Sequence, residues 1–162
     1  MTDKKNVYKI KAINHISVRF QEVDAYRIVH NVHYFNYFEI GRSALLDTFL
    51  RKEKPSEIGL HLYVLLKASC KYANFLQLGD EVIAETVFNY NPAQTNAKIE
   101  FTHTILKKKG KILAAEGFST IGICDHSYKL FFKIPLDVKA FLEEQLDFYS
   151  QNRCKTFTIS KN

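Results

Sequence analysis

The feature that most limits what this chain can fold into is a single helical stretch over residues 31–50 that is apolar around most of its circumference. Phe35, Phe38, Leu45, Leu46 and Phe49 make one broad face, and Tyr34, Tyr37, Gly41 and Ala44 make its neighbour. Asn36, Glu39, Ser43 and Asp47 recur at three- and four-residue steps and leave only a narrow polar stripe. A helix of this pattern predicts cover on most of its sides. Arg51 and Lys52 suit its negative C-terminal end, and Pro55 with Gly59 marks a loop after it.

The cover comes from strands. Before the helix, Ile10, Ala12, Ile16, Val18 and Phe20 are apolar while Lys11, His15, Ser17 and Arg19 are polar, the period of two of a half-buried strand over residues 10–20. After it, Leu62, Val64, Leu66, Ala68, Cys70 and Tyr72 predict a second strand facing away from Lys67, Ser69 and Lys71. Val82, Ala84, Thr86, Phe88 and Tyr90 predict a third, and Ala97, Ile99, Phe101, His103 and Ile105 a fourth. A lysine-rich hairpin turn, KKKGK, leads into a long fifth strand over residues 112–124, where Gly117 and Gly122 predict bulges or a close backbone approach. The apolar run 130–134 extends or follows it. Pro135 then opens a last helix with Val138, Phe141, Leu142 and Leu146 as its apolar stripe. The tail after Tyr149 is polar and reads as loose. The order strand, apolar helix, four or more strands, helix predicts an α+β fold in which an antiparallel sheet wraps the helix. An exposed sheet edge in such a fold invites dimerisation.

At 162 residues one domain is expected, large enough to bury a core without disulfides or metal. No apolar run reaches membrane-spanning length, and the charged start MTDKKNVYKIKA lacks the apolar core of a secretory signal, so a cytoplasmic protein is expected. The three cysteines, Cys70, Cys124 and Cys154, show no metal-site spacing; the two in strand-like stretches read as small buried residues. The net charge of +6 favours anionic partners without choosing among them. No interleaving of basic and aromatic residues points to nucleic acid.

The chemistry concentrates in residues 18–42, VRFQEVDAYRIVHNVHYFNYFEIGR. Asp24 sits in the short connection between the first strand and the helix, beside the unpaired N–H groups of the helix start. Taken alone, an aspartate in such a loop serves as a turn or capping residue. Glu22 reads as an exposed loop residue, Glu39 as part of the helix's narrow polar stripe, and Arg42 as the partner of a local carboxylate or part of a dimer contact.

This stretch resembles the signature of the 4-hydroxybenzoyl-CoA thioesterase-like acyl-CoA thioesterases of the hotdog fold. SCKYANFLQLGDEV and KILAAEGFSTIGICD extend the resemblance, which covers residues 13–148. It implies a hotdog fold, an acyl-CoA thioesterase without metal or other cofactor, and a homodimer or homotetramer acting on acyl-CoA or an acyl-carrier protein. It implies that Asp24 is the catalytic carboxylate, nucleophile or general base, and that the backbone N–H of Asn31 polarises the thioester carbonyl. Tyr34 matches a pocket-lining tyrosine, and His30 and His33 flank Asn31 as pocket-wall or interface residues. Arg27 stands where many members have glycine, which predicts a changed loop or pocket entrance. The hairpin NPAQTN lacks the arginines with which some members grip CoA phosphates. A non-catalytic hotdog protein that binds acyl-CoA or acyl-carrier protein is the alternative.

Overall fold

A computed structural model describes residues 8–50, 61–151 and 156–159. Five strands pair antiparallel: β1 (Tyr8–Ser17), β2 (Leu62–Tyr72), β3 (Glu81–Tyr90), β4 (Lys98–Lys107) and β5 (Ile112–Cys124). A short β6 (Thr156–Ile159) joins parallel to β1, giving the order β2-β5-β4-β3-β1-β6. The helix α1 (Asn31–Phe49) lies on the face of this sheet, and α2 (Leu136–Gln151) covers its far end.

The strand pattern explains the placement of α1. Val82, Ala84, Thr86, Phe88 and Tyr90 all point to the buried face of β3, and Ile99, Phe101, His103 and Ile105 do so on β4. The helix answers with Tyr34, Tyr37, Phe38, Gly41, Arg42, Leu45, Leu46 and Phe49. Phe38 stacks on His103 with ring centroids 4.5 Å apart. Val138, Phe141, Leu142 and Leu146 of α2 are buried as their spacing predicts. The expected α+β hotdog architecture is the one observed.

Several local expectations change. The first strand stops at Ser17, and Phe20 turns outward in a short 3-10 turn (Phe20–Glu22) with 81% exposure. Phe35 and Ala44 are only half-buried, so α1 buries one face rather than most of its circumference. The alternation along β2 breaks at a register shift between Leu65 and Lys67, which leaves Leu65, Leu66 and Tyr72 exposed on an edge strand. Gly117 and Gly122 mark neither a bulge nor a backbone contact. A Cβ on Gly117 would overlap the Phe38 ring, and one on Gly122 would overlap Leu66 and Leu130, so both make room for side chains. The polar tail contains β6, a strand the sequence reading missed.

Arg51, Lys52, Pro55, Gly59 and Cys154 lie outside the described residues. Cys124 is buried, whereas Cys70 is half-buried. Among the described residues no helix is long and apolar enough to cross a membrane.

Candidate active site

The Asp24 loop is a small hairpin. Val23 and Val29 bridge antiparallel, the Asp24 N–H donates to Ile28 O (2.9 Å), and the Arg27 N–H donates to Asp24 O (2.9 Å). That tight turn puts Arg27 at φ 63°, the left-handed region that favours glycine. Arg27 adopts a backbone conformation that favours glycine and stays exposed, outside the cavity lining. One Asp24 carboxylate oxygen accepts the Tyr26 N–H at 2.8 Å, which orients the side chain.

The base of the hairpin is held by Glu22, a residue the sequence reading placed on the surface. Glu22 is 2% exposed and accepts hydrogen bonds from the Arg19 N–H (2.9 Å), the Arg19 guanidinium (2.8 and 3.1 Å) and the Tyr37 hydroxyl (2.8 Å). Burial alone would raise this carboxyl, but the hydrogen bonds from Arg19 and Tyr37 outweigh it and hold the group below its ordinary value. The Glu22 carbonyl accepts the His30 N–H at 2.9 Å, and the Val29 N–H donates to Leu76 O at 2.8 Å. One carboxylate thus ties the hairpin to the middle of α1 through Tyr37. The traces it left in the sequence were the i, i+3 spacing of Arg19 and Glu22 and a tyrosine on the buried helix face.

The helix starts at Asn31 with His30 as its N-cap, whose Nδ1 accepts the Val32 N–H at 3.4 Å. The Asn31 N–H has no acceptor among the described residues, as expected of the first helical amide. Asn31 is one of the residues lining a cavity of about 470 Å³, with Asp24, Ile28, Val29, His30, Tyr34, Tyr72, Ala73, Asn74 and Phe75. Tyr34 meets Tyr72 edge to face, with centroids 5.0 Å apart, and the Tyr72 hydroxyl donates to Asn31 O at 3.3 Å. Burial raises the Tyr34 hydroxyl, and burial with the adjacent Cys70 pushes Tyr72 up to about 12, so both stay protonated donors at neutral pH.

Four of the residues singled out from the sequence, Asp24, His30, Asn31 and Tyr34, therefore line one cavity. Two do not: Arg27 lies on the outer turn, and His33 packs edge-on to His30 and approaches Asn36 Nδ2 at 3.2 Å. Glu39 is exposed and pairs with Arg42, away from the cavity. The wall made by Tyr72, Ala73, Asn74 and Phe75 belongs to the SCKYANF segment, which the sequence marked as part of the resemblance but not as a side of the cavity.

The profile of the thioesterase-like superfamily matches residues 18–142. No curated protein sequence matches the chain. Among solved structures, a DHNA-CoA thioesterase from Staphylococcus aureus is similar, with TM-score 0.67, 16% identity, and 93% of this chain and 99% of that chain covered. A 1,4-dihydroxy-2-naphthoyl-CoA thioesterase from Synechocystis has TM-score 0.64 at 11% identity, covering 86% and 97%. A probable thioesterase from Escherichia coli has TM-score 0.62 at 18% identity, covering 83% and 98%. At these identities the likeness is one of fold.

Proposed function

Since the chain belongs to the thioesterase-like superfamily and has its hotdog fold, we infer that it is an acyl-CoA thioesterase, cleaving the thioester to free CoA and a carboxylic acid. One observation carries this reading: a carboxylate and an unpaired helix-start amide, Asp24 and Asn31, line the same partly aromatic cavity. Either of two routes fits. As general base, Asp24 takes a proton from water while the water oxygen bonds to the carbonyl carbon; the Asn31 N–H holds the oxyanion; the C–S bond then breaks and the thiolate recovers the proton. As nucleophile, an Asp24 oxygen attacks, thiolate leaves, and water hydrolyses the acyl anhydride. In both, Tyr34 and His30 shape the wall beside the reacting carbonyl, and the helix end favours the developing negative charge.

The same reading includes self-association through the exposed β2 edge, where Leu65 and Leu66 stand open. The test is release of free thiol from short, long and aromatic acyl-CoAs. Turnover of any of these supports the hydrolase; saturable acyl-CoA binding without turnover would instead favour the binding protein.

A further inference from the structure

The two groups of the proposed reaction sit on different elements, Asp24 on the hairpin and Asn31 at the first turn of α1, with residues 25–30 between them. Either route needs their separation fixed, because a misplacement of about 1 Å costs on the order of a hundredfold in rate.

Glu22 is the junction at which the hairpin and the helix meet. Its Oε2 accepts two donors at once: the Arg19 N–H (2.9 Å), from the residue that opens the 3-10 turn, and the Tyr37 hydroxyl (2.8 Å), from the second turn of α1. Its carbonyl accepts the N–H of His30 (2.9 Å), the residue that caps α1. Asp24 follows Glu22 by two residues and Asn31 follows His30 directly, so both reacting groups hang from this junction at short reach. The bonds from Arg19 and His30 lie within the segment 19–30 and move with it. Tyr37 reaches Glu22 from the body of the helix. It is 1% exposed, its ring centroid lies 6.1 Å from that of Tyr34, and it packs in one apolar cluster with Val18, Val29 and Phe38. Burial, and then the bond to Glu22, pushes its hydroxyl pKa up, so it stays a donor at neutral pH.

We propose that Tyr37 is a positioning residue: by holding Glu22 against the second turn of α1, it sets the distance between the Asp24 carboxylate and the Asn31 N–H. Tyr37 itself does not line the cavity and touches no reacting atom. The catalytic consequence rests on the thioesterase reading; the tie between hairpin and helix does not.

Tyr37→Phe keeps the ring in its packing and removes only the hydroxyl, and two measurements on the full chain read the result. In hydrogen exchange, the amides of Asp24, Arg27 and His30, whose bonds close the hairpin, should exchange about tenfold faster than in the parent, while those of β3 and β4 change only with global stability. On the best acyl-CoA of the panel, kcat per folded protein should fall about tenfold or more with KM within about twofold, because the cavity walls are untouched. Glu22→Gln, with one acceptor oxygen instead of two, should reproduce both changes and serves as the second variant. Ile105→Val, an apolar change in the same cluster, is the control for lost packing and should keep the parent's kcat. Unchanged exchange in the hairpin would overturn the proposal, as would faster exchange with kcat equal to that of Ile105→Val. A parent that releases no thiol from any acyl-CoA sinks the hydrolase reading, and the exchange measurement then decides the tie by itself.

Discussion

At the scale of single residues, the site depends on two that carry no reaction step. Arg27 occupies a left-handed turn position where a side chain costs about 1–2 kcal/mol, partly offset because glycine has more backbone freedom to lose. Arg27→Gly is expected to raise unfolding stability by up to about 1 kcal/mol in denaturant titrations, with thiol release within a few-fold of the parent. Glu22 is the more demanding position. Its folded carboxyl is held below the ordinary range, so its contribution is present above the unfolded value and is lost as pH falls through the folded one. Glu22→Gln is expected to lose about 1–3 kcal/mol at pH 7. The gap to the parent should narrow as pH falls toward 3, and a gap independent of pH would rule out the ionised anchor. Asp24, His30, Asn31 and Tyr34, which line one cavity, share one short segment that the resemblance had singled out. Glu22 was not visible in the sequence, because its burial depends on Tyr37, fifteen positions away in the chain.

Among the elements, the strands with one buried face were the most legible. A period of two survives in β3 and β4, two central strands whose inward residues are all buried. It misleads at the edges: β2 slips at Leu65/Lys67, and β6 adds only four residues, too few for a period to show beyond the run TFTI. The sheet also contains a polar row that alternation alone predicts merely as inward-facing. His103 on β4 lies between Thr86 Oγ1 of β3 (3.0 Å at Nδ1) and Ser119 Oγ of β5 (2.8 Å at Nε2), with Phe38 stacked above it. Burial, and then the nearby Arg42 charge, lowers its pKa to about 3. The folded imidazole therefore stays neutral while the unfolded one takes up a proton below about 6.5. Stability should fall with pH across that window, by about 2 kcal/mol at pH 5 from this residue. Unfolding curves of the parent and His103→Gln at pH 7 and pH 5 check this: the parent should lose more than the variant between the two, and equal losses would contradict it.

For the whole molecule, the topology brings the ends of several elements together at one end of the sheet. The Asp24 hairpin, the start of α1 and the β2–β3 connection together line one cavity, and Lys107, at the end of β4, lies over the Phe75 ring of that connection. No single segment of the sequence shows that assembly. Lys107 lies more than thirty residues beyond Phe75, and only the pairing of β5 with β2 and β4 makes them neighbours. The central claim remains the chemistry of Asp24, and thiol release under saturating acyl-CoA tests it most directly. On the best substrate of the panel, Asp24→Asn should lower kcat by at least about a hundredfold, the scale of a lost general base, while its melting temperature stays near that of the parent. Equal release by the parent and a folded Asp24→Asn variant would contradict the account.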